Sequence, residues 1–329
     1  MISKVILISE INKIAGTGHL NRCNILIKSL FPKAKKYFYS TKKINFQNNK
    51  LFDIFDRKIE NVSYLNIINE CIGQSKIEKI FVIIDVYNFP DALAKKLYNY
   101  GIIFLQYDNF KIKKVYCSFL INLNPSAKKS WYKKKIKNKN CKFFLGYKYF
   151  LYRKSFLKNK KKIVRKKIKN ILLCFGGSDF LEKHQKFVFF IIKLLKNSHF
   201  LHIFVSKNFN FMKNNLLNNK NIKFYFQEDI SKHLCKMDLA IISSSSLLYE
   251  CKFNGIPCLI YSISENQKIF AREMKKDKII YFYSIFHNYQ KYKNKIKNFL
   301  NLQYSIRKKI FEQNIKLQKP NKILKKINV

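Results

Sequence analysis

Apolar runs and mixed, amphipathic stretches alternate along most of this chain. Val5–Ser9, Ile80–Asp85, Ile102–Tyr107 and Phe119–Asn122 are short and almost wholly apolar. Each has the length and β-branched content of a strand covered on both faces. Between them, His19–Leu30 and Asp91–Tyr100 place apolar residues at helical spacing. The rhythm restarts at Ile171–Phe175 and continues through Leu201–Val205, Ile222–Phe226, Leu239–Ser243 and Cys258–Ile263. Continuous apolar strands separated by helices predict parallel, doubly wound α/β sheets. The two series are split by Leu157–Asn170, a run of Lys, Arg, Asn and Ile without periodicity that reads as a basic linker. The expected organisation is an N-terminal domain over 1–157, a linker over 158–170 and a C-terminal domain over 171–329. The stretch from Asn288 onward is expected to be helical and basic.

A chain of 329 residues exceeds one comfortable hydrophobic core, which agrees with two domains. No apolar stretch approaches a bilayer span, and Met1-Ile2-Ser3-Lys4 leads into a strand-like run instead of a leader, so a cytoplasmic protein is expected. The eight cysteines are scattered without a Cys-x-x-Cys pair and several sit in apolar surroundings, which fits buried free thiols better than disulfides or metal ligation. Sixty-six Lys and Arg against nineteen Asp and Glu leave a net charge of +47. That excess fits a polyanionic partner, but Lys, Asn, Ile, Phe and Tyr dominate everywhere and the lysines are not gathered on one arm, as biased coding also produces. A nucleic-acid partner is disfavoured, and weak peripheral attachment to an anionic membrane stays open.

Glycine is scarce, at 8 residues, and two occur in Gly16-Thr17-Gly18-His19, directly behind the first strand. Glycine there lets backbone bend sharply or approach a ligand, and a following histidine can move protons near neutral pH. Two more glycines open Gly176-Gly177-Ser178-Asp179 at the end of the first strand of the second half, a pattern suited to cradling phosphate or to a plain turn. Ser243-Ser244-Ser245-Ser246 precedes a helix carrying Glu250, and Asn266-Gln267 follows the next strand. Asp85-Val86-Tyr87 and Tyr107-Asp108 end strands, where ligands bind in open α/β sheets and where aspartate also forms ordinary turns. Arg153 has a guanidinium able to pair a diphosphate or a carboxylate. The histidines at 184, 199, 202, 233 and 287 lie in no such context.

Taken in order, these motifs resemble the nucleotide-sugar hydrolases of pseudaminic acid biosynthesis and their spore-coat polysaccharide relatives, which are similar to the GT-B glycosyltransferases. The resemblance rests on Gly16, Gly18, His19 and Arg22; on Asp85 and Tyr87; on Gly146, Tyr149, Arg153 and Phe156; on Gly176–Asp179; on Ser243–Glu250; and on Asn266-Gln267. Asn109 stands where the family has a second carboxylate, Ser9-Glu10 replaces a Ser/Asp cluster, and the serine turn lacks glycines. The resemblance implies a GT-B-like α/β fold of two Rossmann-like domains facing a central cleft, with no cofactor and no metal. It implies a UDP-linked diacetamido-trideoxyhexose as substrate and anomeric attack by water, His19 being the general base and Tyr87 a second catalytic group. The substrate and UDP would contact Gly16, Gly18, Arg22, Arg153, Gly176, Gly177, Ser178, Asp179, Ser245, Ser246, Glu250, Asn266 and Gln267, with Glu250 at the ribose. A GT-B transferase that hands the sugar to an acceptor would use the same residues.

Overall fold

The computed structural model describes residues 1–10, 18–44, 50–108, 111–175, 185–205, 219–226, 228–262, 271, 282–316 and 321–327. The chain divides into two compact units, one of Met1–Tyr152 with Lys319–Val329 and one of Arg153–Gln318.

The first unit is built on a seven-stranded sheet whose order is β3-β2-β1-β4-β5-β6-β7. The strands are β1 (Lys4–Ser9), β2 (Lys35–Tyr39), β3 (Arg57–Ile59), β4 (Ile80–Asp85), β5 (Ile103–Tyr107), β6 (Phe119–Asn122) and β7 (Lys142–Leu145). Every pairing is parallel. Because side chains alternate across a strand, Ile6, Ile8, Val82 and Ile84 feed one core. Val5, Leu7, Phe81 and Ile83 feed the other, under α1 (Gly18–Leu30). That two-sided burial is what an unbroken apolar run such as Ile80–Asp85 signals. Helices α2 (Tyr64–Ser75) and α3 (Asp91–Asn99) follow β3 and β4. Ser63 caps α2, its hydroxyl accepting from the Asn66 N–H at 3.2 Å.

In the second unit the described strands are β8 (Asn170–Cys174), β9 (Phe200–Val205), β10 (Ile222–Phe226), β11 (Leu239–Ser243), β12 (Cys258–Ser262) and β13 (Phe282–Ile285). They form a parallel sheet ordered β10-β9-β8-β11-β12-β13. Its described helices are α4 (Lys154–Lys158), α5 (Gln185–Leu194), α6 (Ser231–Leu234), α7 (Leu247–Phe253), α8 (Lys293–Leu300) and α9 (Tyr304–Lys316).

Two boundaries differ from the sequence expectation. Residues 158–170 are not a free linker but a strap on the second unit. The Lys161 N–H donates to Asn254 Oδ1 at 2.8 Å, and the Lys169 and Asn170 N–H groups donate to Asp238 Oδ2, each at 3.0 Å. Arg307 donates to the carbonyls of Arg165 and Lys166 at 2.9 and 2.7 Å. The Lys161 ammonium is buried beside Asp238 at 3.7 Å, and burial pushes its pKa down to about 8 against the pull of that carboxylate. Backbone bonding of this kind leaves no periodicity in the sequence.

The second difference is the tail, expected with the C-terminal domain. Residues 321–327 pack on the first unit instead. Ile323 and Ile327 are buried in the core beneath α1, and the Asn321 side chain brackets Tyr152, accepting from its N–H at 2.7 Å and donating to its carbonyl at 3.2 Å.

Candidate functional site

Strand order in the first sheet reverses between β1 and β4, the position where open α/β sheets leave a crevice at their carboxyl ends. β4 ends there on Asp85, paired in register with Ser9, the last residue of β1. The helix that follows β1 supplies the partners. His19 and Arg22 lie one turn apart on α1 and so share a face.

Asp85 is almost completely buried and collects both. His19 Nδ1 stands 2.8 Å from Oδ1. Arg22 donates from Nε to Oδ2 at 2.7 Å and from Nη2 to Oδ1, a two-pronged pair, and Cys23 Sγ donates to Oδ2 at 3.3 Å. The Arg22 guanidinium also lies over the Tyr107 ring, 4.2 Å from its centre. Burial alone would raise the Asp85 pKa, but the charges of Arg22 and His19 outweigh it and hold the carboxyl far below its usual range. For Arg22, burial pulls the pKa down while Asp85 more than restores it. The site therefore holds a fixed ion pair at neutral pH.

That carboxylate determines the histidine tautomer. With Nδ1–H donated to Asp85, the Arg22 Nη2 contact to Nδ1 at 3.3 Å is proximity, not a hydrogen bond. Nε2 is left as the basic nitrogen, and it faces the Tyr87 hydroxyl at 3.3 Å, the two rings 5.1 Å apart. Burial, opposed by Arg22 and reinforced by Asp85, raises the pKa of the half-buried Tyr87, so its phenol stays protonated near neutrality. A carboxylate orienting an imidazole whose far nitrogen meets a hydroxyl is equipped for general-base chemistry.

Arg153, Ser245, Ser246 and Glu250 fall in the second unit. Its strand order reverses between β8 and β11, and the serine turn lies just past β11. Ser245 N–H is used by the turn itself, donating to the Ser243 carbonyl at 2.8 Å. Ser245 is half-buried and Ser246 exposed. Ser244 Oγ and Ser262 Oγ, one step beyond the paired Ser243 and Tyr261, are buried with no hydrogen-bond partner among the described residues. Buried hydroxyls without partners are uncommon and need an explanation, such as a bound oxygen-rich group. Glu250 is buried on α7, with Oε1 3.6 Å from Arg153 Nε, while Arg153 Nη1 donates to Asp229 Oδ1 at 3.3 Å. Burial, helped by Asp229 and opposed by Arg153, pushes the Glu250 pKa up to about 7. Gly18 opens α1, whereas Gly16, Gly176, Gly177, Ser178, Asp179, Asn266 and Gln267 lie outside the described residues.

No protein-family model and no curated protein matches the chain. Solved structures do. MurG of Acinetobacter baumannii superposes with a TM-score of 0.63 over 99% of both chains, at 13% identity. CalG4, the calicheamicin glycosyltransferase, gives 0.63 over 99% of this chain and 98% of its own, at 8% identity. The glycosyltransferase of kitacinnamycin gives 0.61 over the same shares, at 10% identity. The fold is GT-B. Within this GT-B chain, each sheet carries its own cluster at the carboxyl ends of its strands.

Reading the residues without the fold misses Cys23 and Asp229 and leaves open what Asp85 and Tyr107 do at their strand ends. Asp85 looks like a turn former by its strand end, yet it is the hub of the first cluster. The signal was the His19–Arg22 spacing, which presents two groups that both want a carboxylate. Cys23 and Asp229 give no local signal at all, and Tyr107 offers only its place at a strand end. Asp108, by contrast, does act as a turn former: it accepts from the Lys111 and Ile112 N–H groups at 2.9 and 3.1 Å and from Tyr132 Oη at 2.6 Å. His202 is an ordinary packed histidine between Tyr225 and Asn170, its pKa pushed down to about 4 by burial and nearby cations. All eight cysteines are free, seven of them buried. Among the described residues no cluster of three or more His, Cys, Asp or Glu is arranged to hold a metal, and no helix is long and apolar enough to cross a membrane.

Proposed function

We propose that this protein hydrolyses a UDP-linked diacetamido-trideoxyhexose at its anomeric carbon, releasing UDP and the free sugar, as pseudaminic and related nonulosonic acid biosynthesis requires. The observation that carries this reading is the Asp85–His19–Tyr87 arrangement at the switch point of a GT-B sheet. His19 Nε2 takes a proton from water as the water oxygen bonds to the anomeric carbon. The bond from that carbon to the UDP oxygen breaks, and its electron pair leaves with the diphosphate. Asp85 stabilises the imidazolium so formed, and the protonated Tyr87 hydroxyl holds the water or a sugar oxygen by hydrogen bonding.

The second unit is assigned the nucleotide. Ser244 and Ser262 have hydroxyls to give to phosphate oxygens, and Glu250 is assigned the ribose hydroxyls, beside Arg153. Gly176, Gly177, Ser178, Asp179, Asn266 and Gln267 belong to the same proposal by their motifs.

GT-B structures named as glycosyltransferases, those of kitacinnamycin and calicheamicin, support a second reading, transfer of the sugar to an acceptor. The two separate in heavy-oxygen water with UDP-sugars and no acceptor. Hydrolysis predicts UDP release with the label on the sugar and none on phosphate, abolished in His19→Ala while UDP still binds. Release only after an acceptor is supplied would replace hydrolysis by transfer.

A further inference from the structure

The nineteen acidic residues are unevenly placed: nine occur up to Asp108, ten from Asp179 onward, and none between. Inside that gap, residues 111–142 fold into a lobe of the first unit around β6 and the start of β7. The Val115 N–H donates to the Lys135 carbonyl at 2.9 Å and the Lys137 N–H returns to the Val115 carbonyl at 3.0 Å, tying the two flanks together. A 3-10 turn over Lys129–Tyr132 is pinned from below by Tyr132, whose hydroxyl reaches Asp108 and Asn122 at 2.6 and 2.8 Å. Above that buried anchor stands Trp131, the only tryptophan in the chain, 40% exposed. Lys113, Lys114, Lys128, Lys133, Lys134 and Lys137 are exposed on the same lobe. Tyr98 of α3, 42% exposed, packs on Tyr116 of the lobe with ring centres 5.9 Å apart.

We infer that this lobe is a docking surface for an anionic lipid bilayer, with Trp131 seated among the headgroups and the lobe's exposed lysines over lipid phosphates. The inference stands apart from the hydrolase reading and uses none of its residues. An indole is at home where one end of a side chain is apolar and the other wet, and lysine stems lie along such a surface while their heads reach its charge. A dense field of lysine without a single acid is what a negatively charged leaflet attracts. A nucleic acid fits less well. All eleven basic residues of 111–142 are lysines, so no planar guanidinium fork is offered to a base or phosphate. One exposed indole also provides one stacking platform, not the succession that tracks a single strand.

The lone tryptophan makes the test direct, using the full chain. With mixed phosphatidylcholine–phosphatidylglycerol vesicles, Trp131 emission should shift to the blue and be quenched by bromine-labelled acyl chains, and pure phosphatidylcholine should do neither. The triple change Lys133→Gln, Lys134→Gln, Lys137→Gln should lower vesicle partitioning about 100-fold, at about fivefold per lysine near a charged surface. The control triple Lys293→Gln, Lys297→Gln, Lys309→Gln removes the same charge elsewhere and should change partitioning far less. Circular dichroism confirms that both variants are folded. Equal losses in the two triples would reduce the effect to net charge and overturn the inference, as would binding without any change at Trp131. Tighter binding of a single-stranded oligonucleotide, displacing the vesicles, would overturn it in favour of a nucleic-acid surface.

Discussion

Glu250 stands 3.6 Å from the Arg153 guanidinium, and burial still raises its pKa from an ordinary 4.5 to about 7. Desolvation therefore exceeds the attraction of a nearby cation that is itself shared with Asp229. The consequence for stability has a definite sign. Below about pH 4.5 the carboxyl is protonated in folded and unfolded chains alike. As pH rises toward 7, the unfolded chain ionises while the folded one does not, so this group's contribution falls through that window and levels off above it. The full loss is up to about 3 kcal/mol by the size of the shift. Glu250→Gln should flatten the pH dependence of unfolding between those limits, measured by denaturant melts followed by circular dichroism.

Asp85→Asn keeps the shape of the hub and removes its charge. Arg22 is then left buried without its ion pair, which costs about 3–5 kcal/mol. His19 also loses the group that fixes its tautomer and stabilises its charged form, so kcat for UDP release should fall by about 10³-fold or more with little change in KM. An Arg22→Met, Asp85→Asn double variant should recover part of the stability and none of the activity. Activity and melting curves on the three proteins separate the two roles.

Gly255 adopts φ +62°, and a Cβ there would meet the Phe311 backbone at 2.7 Å. Gly255→Ala combines a strained backbone with a clash against α9 and should destabilise the second unit by at least about 2 kcal/mol. Gly101, at φ +67° with open space around it, provides the comparison. Gly101→Ala should cost only the strain, about 1 kcal/mol. Chemical denaturation of the two variants side by side measures the difference.

Ile323 is fully buried beneath α1 although the chain that leads to it, from Arg153 to Gln318, belongs to the other unit. Ile323→Ala should lower the stability of the first unit by about 2–4 kcal/mol. Trp131 emission reports on that unit alone, since no other tryptophan exists. Its melting midpoint should drop, while a midpoint unchanged from the parent chain would mean that residues 321–327 contribute nothing to this core.

Where burial is two-sided, the chain announces its strands: Ile80–Asp85 and Leu239–Ser243 have the observed bounds. β2, β3, β7 and β13 escape notice because they lie toward sheet edges or are short; β2 reads Lys-Lys-Tyr-Phe-Tyr and β3 only Arg-Lys-Ile. His19, Arg22 and Tyr87 stood out through rare glycines and strand-end position, and the fold brings them together. Asp85 was ambiguous alone because its partners come from a distant helix, and a carboxylate's environment is a tertiary property. The strap at 158–170 was misread for the same reason: its order comes from Asp238, Asn254 and Arg307, none of them nearby in the chain.

The return of residues 321–327 to the first unit has a consequence for biogenesis. Strands β1 to β7 leave the ribosome long before Ile323 and Ile327 do, with the whole second unit synthesised in between. The unit made first thus waits for residues that follow the whole of the second. During translation the apolar floor beneath α1 lies open until residues 321–327 have been made, exposed apolar surface of the kind that chaperones cover.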